Sequence, residues 1–382
     1  MTSSAVSEKS NGKQLSSGLE FSRRKVSLES YPHMLAIYTT DACNLRCIGC
    51  DYGKRIASGI TITAQGYQRL FDVFPFIRTI GIAGAEMFYD AGNPKGYMNK
   101  VFDEGNKYPA LRYIGFTNAT LLTPEKISLI VDRFSWIGVS IDSPEAEVYK
   151  TIRVGGQLER VVSNIKRISA LKSEKGLGRA HDPRIVLSSI IMELTYRRIT
   201  DMVKLAHEAG AAQVNLLEPW EGTYEKWNIF HNRVKTMEYL ALRKEVDELA
   251  RDLGIRIQDR TRNIIMYNMP DLKEQLGFSD ADVMGRWPRC CDAPWNELYI
   301  WRNGDARICC TSPTVIGNVN DNSILEIWNS PIAIEVRKRI LNGNYARDCQ
   351  KNCHRGYVLP PFRAKSVFSY FRKLFLRDYD VS

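Results

Sequence analysis

The fold of this chain is decided by residues 41–50, which read DACNLRCIGC. They directly follow Met34–Thr40, a short and mostly apolar run that is typical of a buried β-strand. The loop carries Cys43, Cys47 and Cys50 at the spacing C-x3-C-x2-C, and three such thiolates can bind three corners of an iron–sulfur cubane. Because the fourth iron is left without a protein ligand, the predicted site is open to a further molecule.

Two other interpretations of these cysteines stand beside the first. A structural zinc site is one, although zinc sites of that kind normally have four ligands. The nearest further ligand in the sequence is His33, which precedes the strand rather than the loop. Cysteines that are buried for packing alone are the other interpretation.

The length and composition place the chain among globular proteins. It has 382 residues, of which 44% are hydrophobic, and this length favours two domains. No apolar run approaches the roughly 20 residues that span a bilayer, and the polar N-terminus does not resemble a secretory signal. We therefore expect a cytoplasmic location, where nine cysteines favour metal or redox chemistry over disulfides.

The net charge of +10 is spread along the chain rather than concentrated in one patch. Both terminal segments are basic, and the remaining surplus is scattered over the body of the chain. Scattered surplus charge mainly favours solubility. A nucleic-acid partner is therefore not expected.

Beyond the cysteine loop, short apolar runs alternate with helical stretches, which is typical of βα units and a parallel sheet. Six such strands predict an α/β fold, a partial (β/α)6 TIM-like barrel, with its chemistry at the C-terminal ends of the strands. Residues 1–30 are rich in Ser, Lys and Glu, so we expect them to be disordered. The predicted strands are Met34–Thr40, Thr79–Gly84, Tyr113–Thr117, Ile137–Ile141, Ile185–Ile190 and Gln213–Leu217.

The pattern changes after the sixth strand. Residues 233–253 predict one amphipathic helix, and residues 259–289 are irregular. Six cysteines lie between Cys290 and Cys353, which indicates a small cysteine-rich second domain. Asn303-Gly304 stands between two β-prone runs and predicts a hairpin, which would bring Cys291 and Cys309 toward each other.

The cysteine loop resembles the signature of the radical S-adenosylmethionine (SAM) superfamily, and the likeness extends over most of the chain. The resemblance implies that Cys43, Cys47 and Cys50 hold a [4Fe-4S] cluster whose free iron chelates SAM. One electron, from a reductant such as flavodoxin or ferredoxin, then cleaves SAM to a 5′-deoxyadenosyl radical that abstracts hydrogen from a substrate. The family often has an aromatic residue at the position of Gly49, so adenine stacking here is expected to fall to Tyr52 or to backbone contacts.

The same resemblance assigns SAM-binding residues at the ends of the strands. Gly84-Ala85-Glu86 resembles the family's Gly-Gly-Glu element, and its carboxylate is expected to approach the SAM amino group. Thr117-Asn118 resembles the Thr-Asn-Gly element after the third strand. A turn with an exposed Glu86 is the alternative for the first element.

Three further residues are assigned in the same way. Ser140 and Asp142 alternate onto one face and can hydrogen-bond the ribose or carboxylate region of SAM. Arg153 is expected to clamp the SAM carboxylate with two hydrogen bonds. The alternatives are a helix-start role for Asp142 and a plain surface position for Arg153.

The second group of cysteines resembles the SPASM/twitch extension of radical SAM enzymes, which holds auxiliary iron–sulfur clusters. The resemblance implies one auxiliary [4Fe-4S] cluster on Cys291, Cys309, Cys349 and Cys353. The adjacent Cys290 and Cys310 point to the opposite side in an extended chain, although the choice within each pair is open to reversal. A zinc ribbon is the alternative. The predicted domains are residues 1–30, 31–258, 259–358 and 359–382.

The substrate is expected to be a small molecule or a carbohydrate that is oxidised or epimerised. A peptide or protein side-chain maturase is the alternative within the family, and a metal-stabilised binding protein without catalysis is the alternative outside it. Residues 359–382 contain a basic amphipathic segment. That tail either contacts an anionic membrane surface or docks on the protein itself.

Overall fold

A computed structural model describes most of the chain. It covers residues 16–50, 61–89, 97–219, 224–272, 276, 289–344 and 357–358. Cys349, Cys353, Tyr52 and the basic tail therefore lie outside the described residues. Among the described residues, no helix combines the length and the apolar character that a membrane crossing requires.

The core of the fold is a ten-stranded sheet. Seven neighbouring strands are parallel and follow one another in sequence order from β1 to β7. They are β1 Met34–Thr40, β2 Thr79–Gly84, β3 Arg112–Thr117, β4 Phe134–Ser140, β5 Arg184–Ile190, β6 Gln213–Leu217 and β7 Arg256–Asp259. The α/β class and its parallel strands are thus confirmed, and the sheet is not closed, as expected of a partial barrel.

The seventh parallel strand is absent from the prediction, which had six. β7 has only four residues, RIQD, and just one of them is apolar, so no periodicity marks it. It forms because its backbone pairs with β6, from Gln213 opposite Arg256 onward. The prediction also placed the fourth strand at Ile137–Ile141, whereas β4 begins three residues earlier at Phe134.

The helices cover one face of the sheet. Their apolar sides form a continuous core with the strand residues that point toward them, such as Leu35, Ile82 and Val139. The helix predicted at 233–253 is observed as Arg233–Asp252. The helices are α1 Ser16–Ser22, α2 Ala64–Phe71, α3 Tyr97–Gly105, α4 Pro124–Arg133, α5 Ala146–Ile152, α6 Leu158–Glu174, α7 Ile199–Ala209, α8 Arg233–Asp252, α9 Arg262–Asn268, α10 Ala293–Asn296, α11 Ile324–Trp328 and α12 Pro331–Leu341.

The cysteine-rich region is joined to the same sheet. Its strand β9 pairs in parallel with β1, and β9, β10 and β11 continue the sheet beyond it. The predicted hairpin is present, because β9 and β10 are antiparallel and Gly304 in their turn has φ +86°. The strands are β8 Arg289–Cys290, β9 Glu297–Ile300, β10 Asp305–Arg307, β11 Gly317–Asn318 and β12 Tyr357–Val358.

The expectation of disorder for residues 1–30 is wrong for the part from residue 16 onward. Helix α1 packs on the cysteine-rich region, where the ring of Phe21 lies 5.0 Å from that of Trp295. The Trp295 indole donates to the carbonyl of Lys25, and the buried Arg337 donates to that of Val26. Composition alone could not reveal this, because the apolar partners lie about three hundred residues away in the sequence.

Phe21→Ala is expected to destabilise the protein by about 3–5 kcal/mol, the usual cost of removing a buried phenylalanine ring. Phe21 is 7% exposed and belongs to the main core. Leu19→Ala on the same helix is the matched control, since Leu19 is 41% exposed and is expected to change stability little. Urea unfolding of both variants checks this. Equal effects of the two substitutions would show that the segment does not dock as described.

Candidate active site

The loop with the three cysteines begins where β1 ends, and its first residues are held by the end of β2. The amide of Ala85 donates to the carbonyl of Thr40 over 2.9 Å, and that of Glu86 donates to the carbonyl of Ala42 over 3.2 Å. Gly84 makes this approach possible. Its φ is +125°, and a side chain there would collide with the carbonyl of Thr40.

The middle of the loop is held by the chain that follows α5. The amide of Arg46 donates to the carbonyl of Val154 over 2.9 Å, and that of Ile48 donates to Ile152 over 3.0 Å. These two bonds flank Cys47 on the loop and Arg153 on the facing segment. The pairing therefore brings Arg153 and Cys47 opposite each other.

Three donors are aimed at cysteine sulfurs. The amide of Leu45 lies 3.4 Å from Sγ of Cys43, and Nδ2 of Asn118 lies 3.8 Å from the same sulfur. Nη1 of Arg153 lies 3.8 Å from Sγ of Cys47. Donors in these positions suit sulfurs that carry negative charge, as ligated thiolates do.

The environment of the thiols fits an iron–sulfur cluster. Burial raises the pKa of Cys43 and of Cys47, so a free thiolate is disfavoured there and a bound cationic iron would compensate. Among the residues that the structure describes, no three His, Cys, Asp or Glu side chains are placed to hold a single metal ion. The thiolates of a cubane each bind a separate iron and need not converge on one point. We therefore take Cys43, Cys47 and Cys50 as the residues that would hold the cluster.

Glu86 does not have the exposed position that a direct contact with SAM requires. Its side chain is 1% exposed, and burial raises its pKa. Its carboxylate accepts hydrogen bonds from the Thr117 hydroxyl over 2.6 Å, from the Asn118 amide over 2.7 Å and from the Phe88 amide over 3.2 Å. In this structure Glu86 joins the end of β2 to the end of β3, and its predicted approach to the SAM amino group stays a prediction.

Thr117 and Asn118 continue this connection toward the cysteine loop. The side chain of Asn118 donates to Oδ1 of Asn44 over 3.0 Å, and Asn44 donates to the hydroxyl of Thr120 over 2.8 Å. Asn44 and Thr120 were not singled out from the sequence, because only the fold brings them together. Together with Glu86, these side chains fix the position of Cys43 relative to β2 and β3.

Asp142 and Arg153 form a buried ion pair. Nε of Arg153 lies 2.6 Å from Oδ2 of Asp142, and their side chains are 14% and 0% exposed. Burial acts to lower the pKa of Arg153, but the charges of Asp142 and Cys47 outweigh it and raise that pKa. Asp142 also accepts from the amide of Ile190 over 3.0 Å, and it does not cap the next helix, whose N-cap residue is Glu145. The predicted two-bond clamp on the SAM carboxylate would require Arg153 to give up part of these contacts.

The position of Gly49 explains the missing aromatic residue of the loop. The ring of Tyr224, from the segment after β6, occupies the space that a side chain at residue 49 would take. Tyr224 is 5% exposed. Burial raises the pKa of its hydroxyl most, and the negative charge of Asp142 raises it further. An aromatic ring is thus present beside the loop, but it is supplied by a distant residue. The glycine at this position was the only sequence signal for it.

The second cysteine group is described only in part. Cys291 is half-buried beside the main core, whereas Cys309 and Cys310 pack against Met34 and Tyr299. The backbone of Cys290 pairs with that of Tyr357, which follows Cys349 and Cys353 in the sequence. Because Cys349 and Cys353 lie outside the described residues, the ligand set Cys291, Cys309, Cys349 and Cys353 stays a prediction.

The cysteine-rich region also contacts the start of the cysteine loop. Arg302, in the β9–β10 turn, donates to Oδ2 of Asp41 over 2.9 Å, and the Asp41 side chain is 6% exposed. Nearby, the ring of Trp301 stacks on that of Tyr38 at 4.4 Å, and the guanidinium of Arg307 lies over the Trp301 ring. The two parts of the chain therefore share one wall of the site.

The sheet face turned away from the core helices carries aromatic side chains in one part and neutral polar side chains in another, besides apolar and charged ones. The strand registers place aromatic residues on β1, β3, β4 and β9, and neutral polar residues on β5, β6 and β7. Nε2 of Gln213 donates to Asn215 over 2.6 Å and to Gln258 over 3.1 Å, and Asn215 donates to Ser188 over 3.4 Å. The aromatic residues are Tyr38, Phe116, Trp136 and Tyr299, and Ser140 lies on the same face.

Comparison with protein families gives two matches. Residues 37–178 match the family model described as the radical SAM superfamily. Residues 290–354 match the model SPASM, described as an iron-sulfur cluster-binding domain. The first range contains the three-cysteine loop and the second contains the second cysteine group.

Individual proteins are similar at low identity. A GTP 3',8-cyclase from Clostridium botulinum (strain Okra / Type B1) is 23% identical over 250 residues, which are 64% of this chain and 72% of that protein. Among solved structures, Streptococcus suis SuiB bound to its precursor peptide SuiA has a TM-score of 0.59 at 14% identity and covers 89% of this chain and 75% of its own. Native anSMEcpe with bound AdoMet has a TM-score of 0.53 at 16% identity, covering 90% and 98%. At these identities the solved structures show the fold alone.

Proposed function

Because this chain is a radical SAM enzyme with a C-terminal SPASM domain, we propose that it abstracts a hydrogen atom from a small, neutral, polar substrate of carbohydrate type. The cluster and SAM supply, when bound, the one-electron cleavage that yields the 5′-deoxyadenosyl radical. The protein supplies the ligands, the orientation of the substrate and the exclusion of water. Oxidation and epimerisation of the substrate both begin with such an abstraction.

The cluster ligands in this proposal are Cys43, Cys47 and Cys50. Leu45, within the loop, is 1% exposed, and the Tyr224 ring fills the space beside Gly49. Both side chains therefore keep water from the loop. Glu86 and Asn118 hold the loop against β2 and β3. These residues position the cluster, and the auxiliary [4Fe-4S] cluster belongs to the SPASM domain beside β1.

The observation that carries the substrate class is the composition of the open sheet face. Phe116 is 45% exposed there, and its ring crosses Gly138, where a side chain would collide with it. On the same face, strands β5, β6 and β7 carry the hydrogen-bonded series of Ser188, Asn215, Gln213 and Gln258. An apolar platform with a few convergent neutral donors and acceptors suits a polyhydroxylated ring.

Among the described residues, the cations of this sheet face are divided between the two ends of the strands, and Arg260 lies at the end nearer the cysteine loop, directly after β7 and close to Glu218. Arg184 and Arg256 stand at the first residues of their strands, away from the cysteine loop, and Arg307 lies over Trp301 and donates to the carbonyl of Ser312. A triphosphate would be expected to meet converging cations at the other end. The proposal therefore favours a neutral substrate over a nucleotide.

The enzyme also needs an external electron donor. We infer a low-potential one-electron protein such as a flavodoxin or a ferredoxin, as the radical SAM chemistry requires. The exposed side chain of Arg46 on the cysteine loop gives the site one cation on its outer side.

Substrate-dependent formation of 5′-deoxyadenosine tests the proposal. Reconstituted enzyme with reductant and SAM is incubated with carbon-deuterated sugars or aminocyclitols, with GTP, or with peptides, and deuterium in 5′-deoxyadenosine is measured by mass spectrometry. Gln258→Leu is expected to raise the sugar concentration for half-maximal rate about tenfold, because the one to two hydrogen bonds that this side chain offers the substrate are lost. SAM cleavage without substrate is expected to be unchanged.

Gln68→Leu is the matched control, because Gln68 is an exposed glutamine that bonds only to Asp72. It is expected to behave as the unmodified enzyme. Deuterium transfer from peptides or from GTP, with none from sugars or aminocyclitols, would contradict the proposed substrate class while leaving the radical SAM chemistry intact.

A further inference from the structure

The contact between Arg153 and Cys47 has a role that SAM binding does not account for. Nη1 of the guanidinium lies 3.8 Å from Sγ of Cys47, while Nε is bound to Asp142 over 2.6 Å. The Arg153 side chain is 14% exposed and that of Asp142 is fully buried. One cationic donor is thus directed at one predicted cluster ligand.

The direction of this guanidinium is fixed from both sides. The neighbours of Arg153 in the sequence accept backbone bonds from the cysteine loop, at Arg46 and at Ile48. Asp142, in turn, is anchored on β5 through the amide of Ile190. Swinging Arg153 away from Cys47 would leave the buried carboxylate of Asp142 unpaired, which is costly.

We propose that Arg153, positioned by Asp142, tunes the reduction potential of the SAM-binding cluster through its hydrogen bond to the Cys47 thiolate. The inference rests on the cluster assignment made under the proposed function. Hydrogen bonds to the ligating sulfurs and nearby charge are the two protein features that set such potentials. Nη1 of Arg153 provides both the hydrogen bond and the positive charge.

The electron balance gives the direction of the effect. Reduction adds one electron, taken from a donor of the ferredoxin or flavodoxin class, and increases the negative charge shared by the sulfurs. A cationic N–H donor stabilises that added charge, so it raises the potential and makes the cluster easier to reduce. Cys43 differs, because its donors, Leu45 and Asn118, are neutral.

Redox titration monitored by electron paramagnetic resonance tests the proposal on the full-length reconstituted protein. The signal that changes when SAM is added identifies the relevant cluster, and the auxiliary cluster serves as an internal reference. In Arg153→Gln we expect the reduced-to-oxidised ratio at a given potential to fall at least about tenfold, which is a shift of about 59 mV to more negative values for one electron. The reference cluster should not shift.

Two further variants distinguish the effect of the hydrogen bond on the potential from the effect of positive charge near the cluster. Arg46→Gln removes a cation from the same loop whose guanidinium, among the described residues, bonds to the carbonyls of Cys43 and Leu45 and to no cysteine sulfur, so its potential should shift less than that of Arg153→Gln. Arg153→Lys keeps the ion pair with Asp142 and guards against a misfolded glutamine variant. The potential of Arg153→Lys should lie between those of Arg153→Gln and Arg46→Gln.

The iron content of each variant is measured alongside and should equal that of the unmodified protein. Equal potentials in Arg153→Gln and the unmodified protein, or equal shifts in Arg153→Gln and Arg46→Gln, would overturn the tuning role alone. A protein without any SAM-sensitive signal would overturn the cluster assignment, and the tuning role with it.

Discussion

Replacing Cys43, Cys47 and Cys50 together by alanine is expected to halve the iron content and to abolish SAM cleavage. With two clusters, the unmodified protein should bind about eight irons per chain, and the triple variant about four. Cys47→Ala alone should also remove SAM cleavage, because a cluster with three protein ligands has no thiolate to spare. Anaerobic reconstitution, iron analysis and chromatography of 5′-deoxyadenosine measure these outcomes.

The control for this experiment is another half-buried cysteine. Cys310→Ala removes a thiol outside the predicted ligand sets, and SAM cleavage should persist in it. About four irons in the unmodified protein would speak against an auxiliary cluster. Zinc in place of iron would favour the zinc interpretations, and persistent SAM cleavage by Cys47→Ala would refute the assignment of the loop.

Glu86→Gln is expected to lower the free energy of unfolding by about 2–3 kcal/mol, although the substitution hardly changes the size of the side chain. The buried carboxylate accepts three hydrogen bonds, from Thr117, Asn118 and Phe88. A carboxamide offers one oxygen and one NH2 group, so at least one buried amide donor loses its charged acceptor. Urea unfolding under anaerobic conditions measures the change.

The same variant is expected to retain iron less well, because Glu86 holds Asn118 and thereby the position of Cys43. Glu125→Gln is the matched control: Glu125 is exposed in the first turn of α4, and its loss should change stability by less than about 1 kcal/mol. If Glu86→Gln left stability unchanged but weakened SAM binding, the carboxylate would contact SAM directly, as the family resemblance implied.

Local patterns were sufficient for six of the seven parallel strands and for the cysteine loop. β1, β2 and β6 begin and end at the predicted residues, because a short apolar run between loop residues marks a strand that packs against helices. The spacing of Cys43, Cys47 and Cys50 fits a cubane because one short loop can present all three thiolates. These features lie within ten or so residues of sequence, so their periodicity and spacing are visible without the fold.

Side-chain partners could not be obtained in this way. Gly84, Thr117 and Asn118 stand at strand ends as the resemblance implied, but no sequence pattern indicated that Thr117 and Asn118 would hydrogen-bond the Glu86 carboxylate. For Arg153, a long flexible side chain has many possible partners. Which partner it meets depends on how the chain after α5 lies against the cysteine loop.

The α/β class, the cysteine loop and the order of the two parts of the chain can be predicted without the fold, because each depends on residue spacing within a short stretch. Only the tertiary structure decided that β9 joins β1, that residues 16–30 dock on the cysteine-rich region, and that Tyr224 fills the space beside Gly49. These contacts join residues from about 170 to about 310 positions apart. Their formation depends on how packed surfaces fit together, and no local pattern in either partner encodes that fit.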